Sequence, residues 1–286
     1  MSTKKGQQVA TKDTGQELAV TGMFEAEEAQ GFEHADRDSF AIPFLQLLQK
    51  MSPQVDEGED GYVEGARPGM YVNTVTEELF QGDPGVLVVP CHYERRFLEW
   101  VPRSAGGGFV ADHPPEHGLK LMQQTTRDEN NRDILPESGN ELQDTRQHYV
   151  LILREDGNWE PAIVSMTRTA QKASKRWMTM MQNIKWPRKG GGYFTPPMFS
   201  HVYRLGVQRR SNDQGTWYVP NPGKERALGE GDEELFHAAK GFRDQIVQGE
   251  ARAAYDSVDT GGGEAQGNAT PGAGPDPADG DDDIPF

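Results

Sequence analysis

A chain of 286 residues is long enough for one large domain or two small ones, but a mean hydropathy of −0.76 is low for a chain folded throughout, so polar ends around a single core are expected. The lone cysteine, Cys91, excludes an intramolecular disulfide; with no apolar h-region near the start and no apolar run of roughly 20 residues, a soluble, cytoplasmic protein that makes no use of a membrane is predicted. The net charge of −16 argues against a polyanionic partner only until its distribution is read: residues 161–226 hold twelve Lys and Arg against two acids, whereas residues 230–286 hold fourteen acids against three bases.

Residues 1–36 carry Lys4 and Lys5 early and Glu25, Glu27 and Glu28 later, show no sustained period, and read as a disordered N-terminal arm. The core is expected over 37–228. Its first apolar stretch, 40–51, predicts a short helix after Pro43, because proline suits the first helical position. Residues 71–75 and 86–89 are β-branched runs split by the turn signal Gly82-Asp83-Pro84-Gly85. Residues 91–101 continue as a long strand whose period of two puts Tyr93, Arg95 and Phe97 on one face and Leu98 and Trp100 on the other. Residues 103–147, with Gly106-Gly107-Gly108 and Pro114-Pro115, read as a large, partly mobile insertion.

A hairpin is predicted over 149–153 and 159–166 across Asp156-Gly157-Asn158. An amphipathic helix over 169–185 then aligns Ala170, Ala173, Trp177, Met181 and Ile184, which makes Trp177 a core residue rather than a stacking platform. Residues 185–194 form a loop by their Pro and Gly content, and a last hairpin joins 199–210 to 216–219. A final amphipathic helix within 229–249 aligns Leu235, Ala239, Phe242 and Ile246. Residues 250–286, rich in Gly, Pro and Asp, read as a disordered, self-repelling acidic tail.

The tail ends in Asp281-Asp282-Asp283-Ile284-Pro285-Phe286. Phe286 offers a partner pocket an aromatic ring together with a terminal carboxylate. Pro285 biases Ile284 towards an extended shape, and the aspartates favour a pocket with a basic rim. This tip resembles the acidic C-terminal tip of bacterial single-stranded DNA-binding proteins (SSBs) and, less closely, the Phe-terminated tails of some phage SSBs. The resemblance implies recruitment of replication and repair proteins: helicases, nucleases and polymerase-associated factors. It covers only the tip and the style of the tail, so no DNA-binding residue carries over from it. A second Ile-Pro-Phe, at residues 42–44, is internal and is expected to dock on the core.

The element order predicts a mainly β fold with a few helices, a β-barrel with an OB-fold-like core, against the alternative of a β-sandwich with one helix. A sequence-tolerant binder of single strands needs cations beside aromatics, since stacking contributes about 1–3 kcal/mol per base. Residues 185–194 supply both: Trp186, Tyr193 and Phe194 for bases, Lys185, Arg188 and Lys189 for phosphates, and three glycines for close backbone approach. The competing reading is a basic loop whose aromatics fold back into the core. Arg95, Arg96, Trp100 and Arg103, and Arg204 with Arg210, are secondary candidates, because strand aromatics usually pack and exposed arginines are common.

Other chemistries lose on inspection. Cys91, His92, His113, His117 and His148 include no Cys-x-x-Cys pair, and Pro114-Pro115 interrupts the helical spacing of His113 and His117, so no metal is expected. Gly190-Gly191-Gly192 is not followed by the Lys-Ser or Lys-Thr of a phosphate loop, and neither Gly-x-Ser-x-Gly nor His-Glu-x-x-His occurs. No cofactor, no catalytic residue and no enzyme are predicted. The expectation is a phage- or plasmid-type SSB, in the host cytoplasm if phage-encoded, that coats single-stranded DNA and recruits partners through its tip; a homo-oligomer is compatible with this. An interaction or decoy protein that uses the tip without binding DNA, and a strand-annealing recombination protein, are the alternatives.

Overall fold

The computed structural model describes residues 42–213 and 215–249, together with Glu27, 30–33, Ala253 and Tyr255; the side chain of Arg103 is not described. Most of the expected arm, the acidic tail past Tyr255 and the tip at 281–286 lie outside the described residues. The chain divides into residues 1–40 and 41–286. In the first unit the described residues form a turn, in which Gln30 N–H donates to the Glu27 carbonyl at 3.2 Å. The second unit carries the fold.

Its first strands, β1 (Leu45–Leu47), β2 (Tyr71–Asn73) and β3 (Leu79–Phe80), make a small antiparallel sheet in that order. The main sheet is organised on two long strands, β4 (Val86–Trp100) and β8 (Glu141–Leu153), antiparallel from Val88 opposite Ile152 to Trp100 opposite Glu141. The register skips Cys91, an extra residue that bends β4. Between them run β5 (Phe109–His113), helix α1 (Pro115–Met122), β6 (Thr126–Arg127) and β7 (Asp133–Ile134). After β8 come β9 (Trp159–Thr167), helix α2 (Gln171–Gln182), the short pair β10 (Trp186–Pro187) and β11 (Tyr193–Phe194), the hairpin β12 (His201–Asn212) and β13 (Gly215–Ala227), and helix α3 (Glu233–Val247). At one end of the long pair the order is β13-β12-β4-β8-β9; at the other, β5 lies on β4 and β7 and β6 lie beyond β8. The result is a mainly β fold whose sheet curls into a half-barrel.

Alternation along the strands gives the sheet two apolar faces. Val86, Val88, Val150, Ile152, Val164, Tyr203 and Leu205 pack against Trp177 and Met181 of α2. Val89, Cys91, Leu98, Tyr149, Leu151 and Ile163 pack against Leu235, Ala239, Phe242 and Ile246 of α3. Both amphipathic helices thus lie where their apolar stripes predict, and Trp177 is fully buried. Among the described residues no helix is long and apolar enough to cross a membrane.

Three sequence expectations need correction. Residues after Pro43 are extended, not helical: the Pro43 carbonyl accepts the Ile163 N–H at 2.9 Å and Phe44 N–H donates to Thr74 Oγ1 at 3.0 Å, so neighbouring segments take the backbone groups a helix would have used. Ile42 and Phe44 are buried on the core.

Residues 103–147 are not a loose insertion either. Leu135 and Leu142 close a small cluster with Phe97, backed by Leu121 and Met122. At Gly118 of α1 an added Cβ would come within 2.3 Å of the Phe97 ring, so the helix sits hard against β4. The first residues of β8 look polar because Glu141, Thr145 and Gln147 are buried with their own partners.

The body, finally, does not stop at Gly249. Ala253 forms a parallel bridge with Ile42, and the Tyr255 ring stacks on Phe109 at 4.5 Å while its hydroxyl donates to Asp112 at 3.2 Å and accepts from Gln147 at 2.6 Å.

Candidate nucleic-acid interface

Residues 185–194 fold into the β10–β11 hairpin, pairing Trp186 with Phe194 and Pro187 with Tyr193. The turn is closed by Arg188 N–H donating to the Gly192 carbonyl at 3.0 Å and Gly191 N–H to the Arg188 carbonyl at 3.2 Å. Gly190, Gly191 and Gly192 all have positive φ (104°, 97° and 80°), which a run of L side chains could not adopt without strain. A Cβ at any of the three would meet nothing within 4 Å, so the turn faces open space.

On this frame the aromatics divide by exposure. Tyr193 is 72% exposed. Trp186 and Phe194 are half-buried and meet edge to face at 6.0 Å, and the Trp186 ring lies 5.7 Å from that of His201. Arg188 sits over the Phe194 ring at 5.6 Å, and Lys189 is exposed. Lys185 Nζ donates to the Gln182 carbonyl at 3.0 Å and to Thr195 Oγ1 at 2.5 Å, which ties the hairpin to the end of α2. Three rings and three cations therefore share one small protrusion, and the most exposed ring is at its outer edge. His201 adds no cation: burial, and then the charge of Lys224, hold its pKa below the ordinary histidine value.

The secondary candidates are placed differently. Arg204 is engaged with Glu225 through two hydrogen bonds, at 3.0 and 2.9 Å. Arg210 is exposed nine residues along β12 from His201, about 30 Å at strand rise, and so does not join the hairpin. Arg95 and Arg96 point to opposite faces of β4. The first is bound by two hydrogen bonds to Asp144 and lies over the Phe97 ring, and the second donates to Asp112 at 2.7 Å. Trp100 is half-buried, edge-on to Phe109 at 5.4 Å.

Sequence reading missed Lys224. It lies opposite Tyr203 on β13, close enough to His201 to bias its titration, and is exposed. The segment Pro220-Asn221-Pro222-Gly223 reads as a strand breaker, yet β13 continues through it because it is an edge strand, where proline's missing N–H is tolerated.

Comparison with curated proteins and with solved structures gave no match. The model of the family described as Pam3 phage gp34-like protein matches residues 11–252, a span that takes in the sheet, the three helices and the β10–β11 hairpin and leaves out the acidic tail. The chain belongs to the Pam3 phage gp34-like protein family.

Proposed function

We propose that this protein binds single-stranded DNA without reading its sequence, as a binding protein and not an enzyme. The observation that carries the proposal is the β10–β11 hairpin: an exposed Tyr193, half-exposed Trp186 and Phe194, and the cations Lys185, Arg188 and Lys189 on one projection. Exposed rings accept any base face and cations accept any phosphate, so the pairing is sequence-tolerant by construction. The strand connectivity supports an OB-fold reading of the body. A three-strand meander (β4, β8, β9) is followed by helix α2 and a hairpin (β12–β13) whose first strand returns to pair with β4.

The acidic tail with its Asp-Asp-Asp-Ile-Pro-Phe end is proposed to recruit replication or repair proteins, an idea that rests on the resemblance of that tip alone. The DNA reading is tested by gel-shift with single- and double-stranded oligonucleotides at two salt concentrations. Preference for the single strand is expected, with log K falling against log salt at a slope of about −3 to −4 if roughly five phosphates are neutralised. No shift at low salt, or equal affinity for duplex, overturns it.

A further inference from the structure

A cleft of about 270 Å3 opens beside Trp186, between the β10–β11 hairpin and the start of α3, walled by Trp186, Pro197, Leu228 and Phe236. Its surface is almost wholly carbon, although Asp232 and Glu233 also line it. The two carboxylates are already engaged. Asp232 accepts from Arg226 at 2.6 and 2.9 Å and from Gly229 N–H at 2.8 Å, and Glu233 accepts from Gly231 N–H at 3.0 Å. Phe236 is 37% exposed and rests edge-on against Phe199.

Building on the single-strand reading above, we infer that this cleft holds one nucleobase turned inwards from the bound strand. The volume lies near the lower end of small-molecule pockets, about 300 Å3, enough for one flat ring system and too small for a folded segment. The apolar walls suit a neutral ring, and two aromatic residues, Trp186 and Phe236, belong to them. Charge fixes the orientation. Glu233, held only by a neutral backbone N–H, keeps its charge beside the cleft and disfavours phosphate there, whereas Lys185, Arg188 and Lys189 stand on the same hairpin as Trp186, and Lys224 lies by His201. A strand crossing the hairpin therefore keeps its backbone on the cations and presents its base to the carbon-lined side. The tip of this chain is the poorer occupant, because its three aspartates would come up against the charge of Glu233.

The test uses the full chain and an oligonucleotide carrying 5-iododeoxyuridine, photo-crosslinked and mapped by mass spectrometry. Adducts on Phe236 or His237, in addition to Trp186, are expected. Phe236→Ala should weaken binding about 5- to 150-fold, the loss of one stacked base, and lose the α3 adduct, while Phe236→Tyr retains both. Binding with adducts only on Tyr193 and Phe194 overturns the cleft and leaves the single-strand reading standing. So do α3 adducts that appear only after residues 256–286 are removed, which would give the cleft in the full chain to its own tail. Absence of any oligonucleotide binding by the wild-type chain overturns the single-strand reading itself.

Discussion

His148 lies on β8, fully buried, with its ring stacked on Trp177 at 4.7 Å and Nε2 2.8 Å from Ser174 Oγ. Burial drives its pKa down from 6.5 to about 3, so the folded chain refuses a proton that the unfolded chain accepts. Because the folded value lies below the unfolded one, the stability due to neutral His148 is complete above the unfolded pKa and is lost as pH falls towards the folded pKa. Between those limits the loss runs at about 1.4 kcal/mol per pH unit, or roughly 2 kcal/mol between about pH 6.5 and 5. That is a large share of a typical domain stability of about 5–15 kcal/mol. The assay is urea unfolding across that window for the wild type and for His148→Gln, which can still hydrogen-bond Ser174 but has no proton to take up. The variant starts less stable because the stack on Trp177 is lost, but its stability should fall less steeply with acid by about that amount. Carboxylates titrate in both proteins and cancel in the difference. Parallel curves would refute the reasoning, since they would mean that the fold admits the proton or that water reaches the ring.

Tyr193→Ala should leave the melting temperature unchanged, because the ring is exposed, and weaken binding to single-stranded DNA roughly 5- to 150-fold, the span of one stacking contact; fluorescence titration beside a thermal melt separates the two effects. Tyr255→Ala should cost about 3 kcal/mol in urea unfolding, through the lost stack on Phe109 and the bonds to Asp112 and Gln147. A truncation after Tyr255, which keeps this anchor, should tighten DNA binding most at low salt if the acidic tail competes for the cations; equal affinity at low ionic strength would reject self-competition.

The parts of the fold that were legible in the sequence are those where one period runs long enough to repeat. Trp177, Met181, Leu235, Phe242 and Ile246 recur at helical spacing and are all buried. The alternation of 149–153 and 159–166 across Asp156-Gly157-Asn158 gives the β8–β9 hairpin with Leu153 opposite Trp159. Legibility failed where tertiary partners replaced the usual apolar signal. Glu141, Thr145 and Gln147 sit in a central strand yet read as part of a mobile insertion, because a polar side chain is buried only where another residue supplies its hydrogen bond, as Tyr255 does for Gln147 from 108 positions away. Tertiary partners also decide the segment entering β1, where Thr74 takes the Phe44 N–H and Ile163 the Pro43 carbonyl before β1 pairs with β2.

Charge shows why a sequence tally overstates a binding surface. Of the twelve cations in residues 161–226, Arg168, Arg204 and Arg226 are held by Glu141, Glu225 and Asp232, and on β4 Arg95 and Arg96 are held by Asp144 and Asp112. A phosphate arriving at any of these must displace a carboxylate already in place, exchanging one charge-assisted pair for another with little net gain. The hairpin cations are held otherwise, as is Arg176, which donates to Asn221 Oδ1 at 3.0 Å. Lys185 is positioned by a carbonyl and a hydroxyl, and Arg188 by an aromatic ring. Neutral partners fix a cation's geometry without cancelling its charge, so these side chains are positioned and still electrostatically open to an anion. The distinction between cations held by acids and cations held by neutral groups is invisible to composition. Together with the three rings beside these cations, it favours residues 185–194 over the rest of the basic segment for the proposed interface.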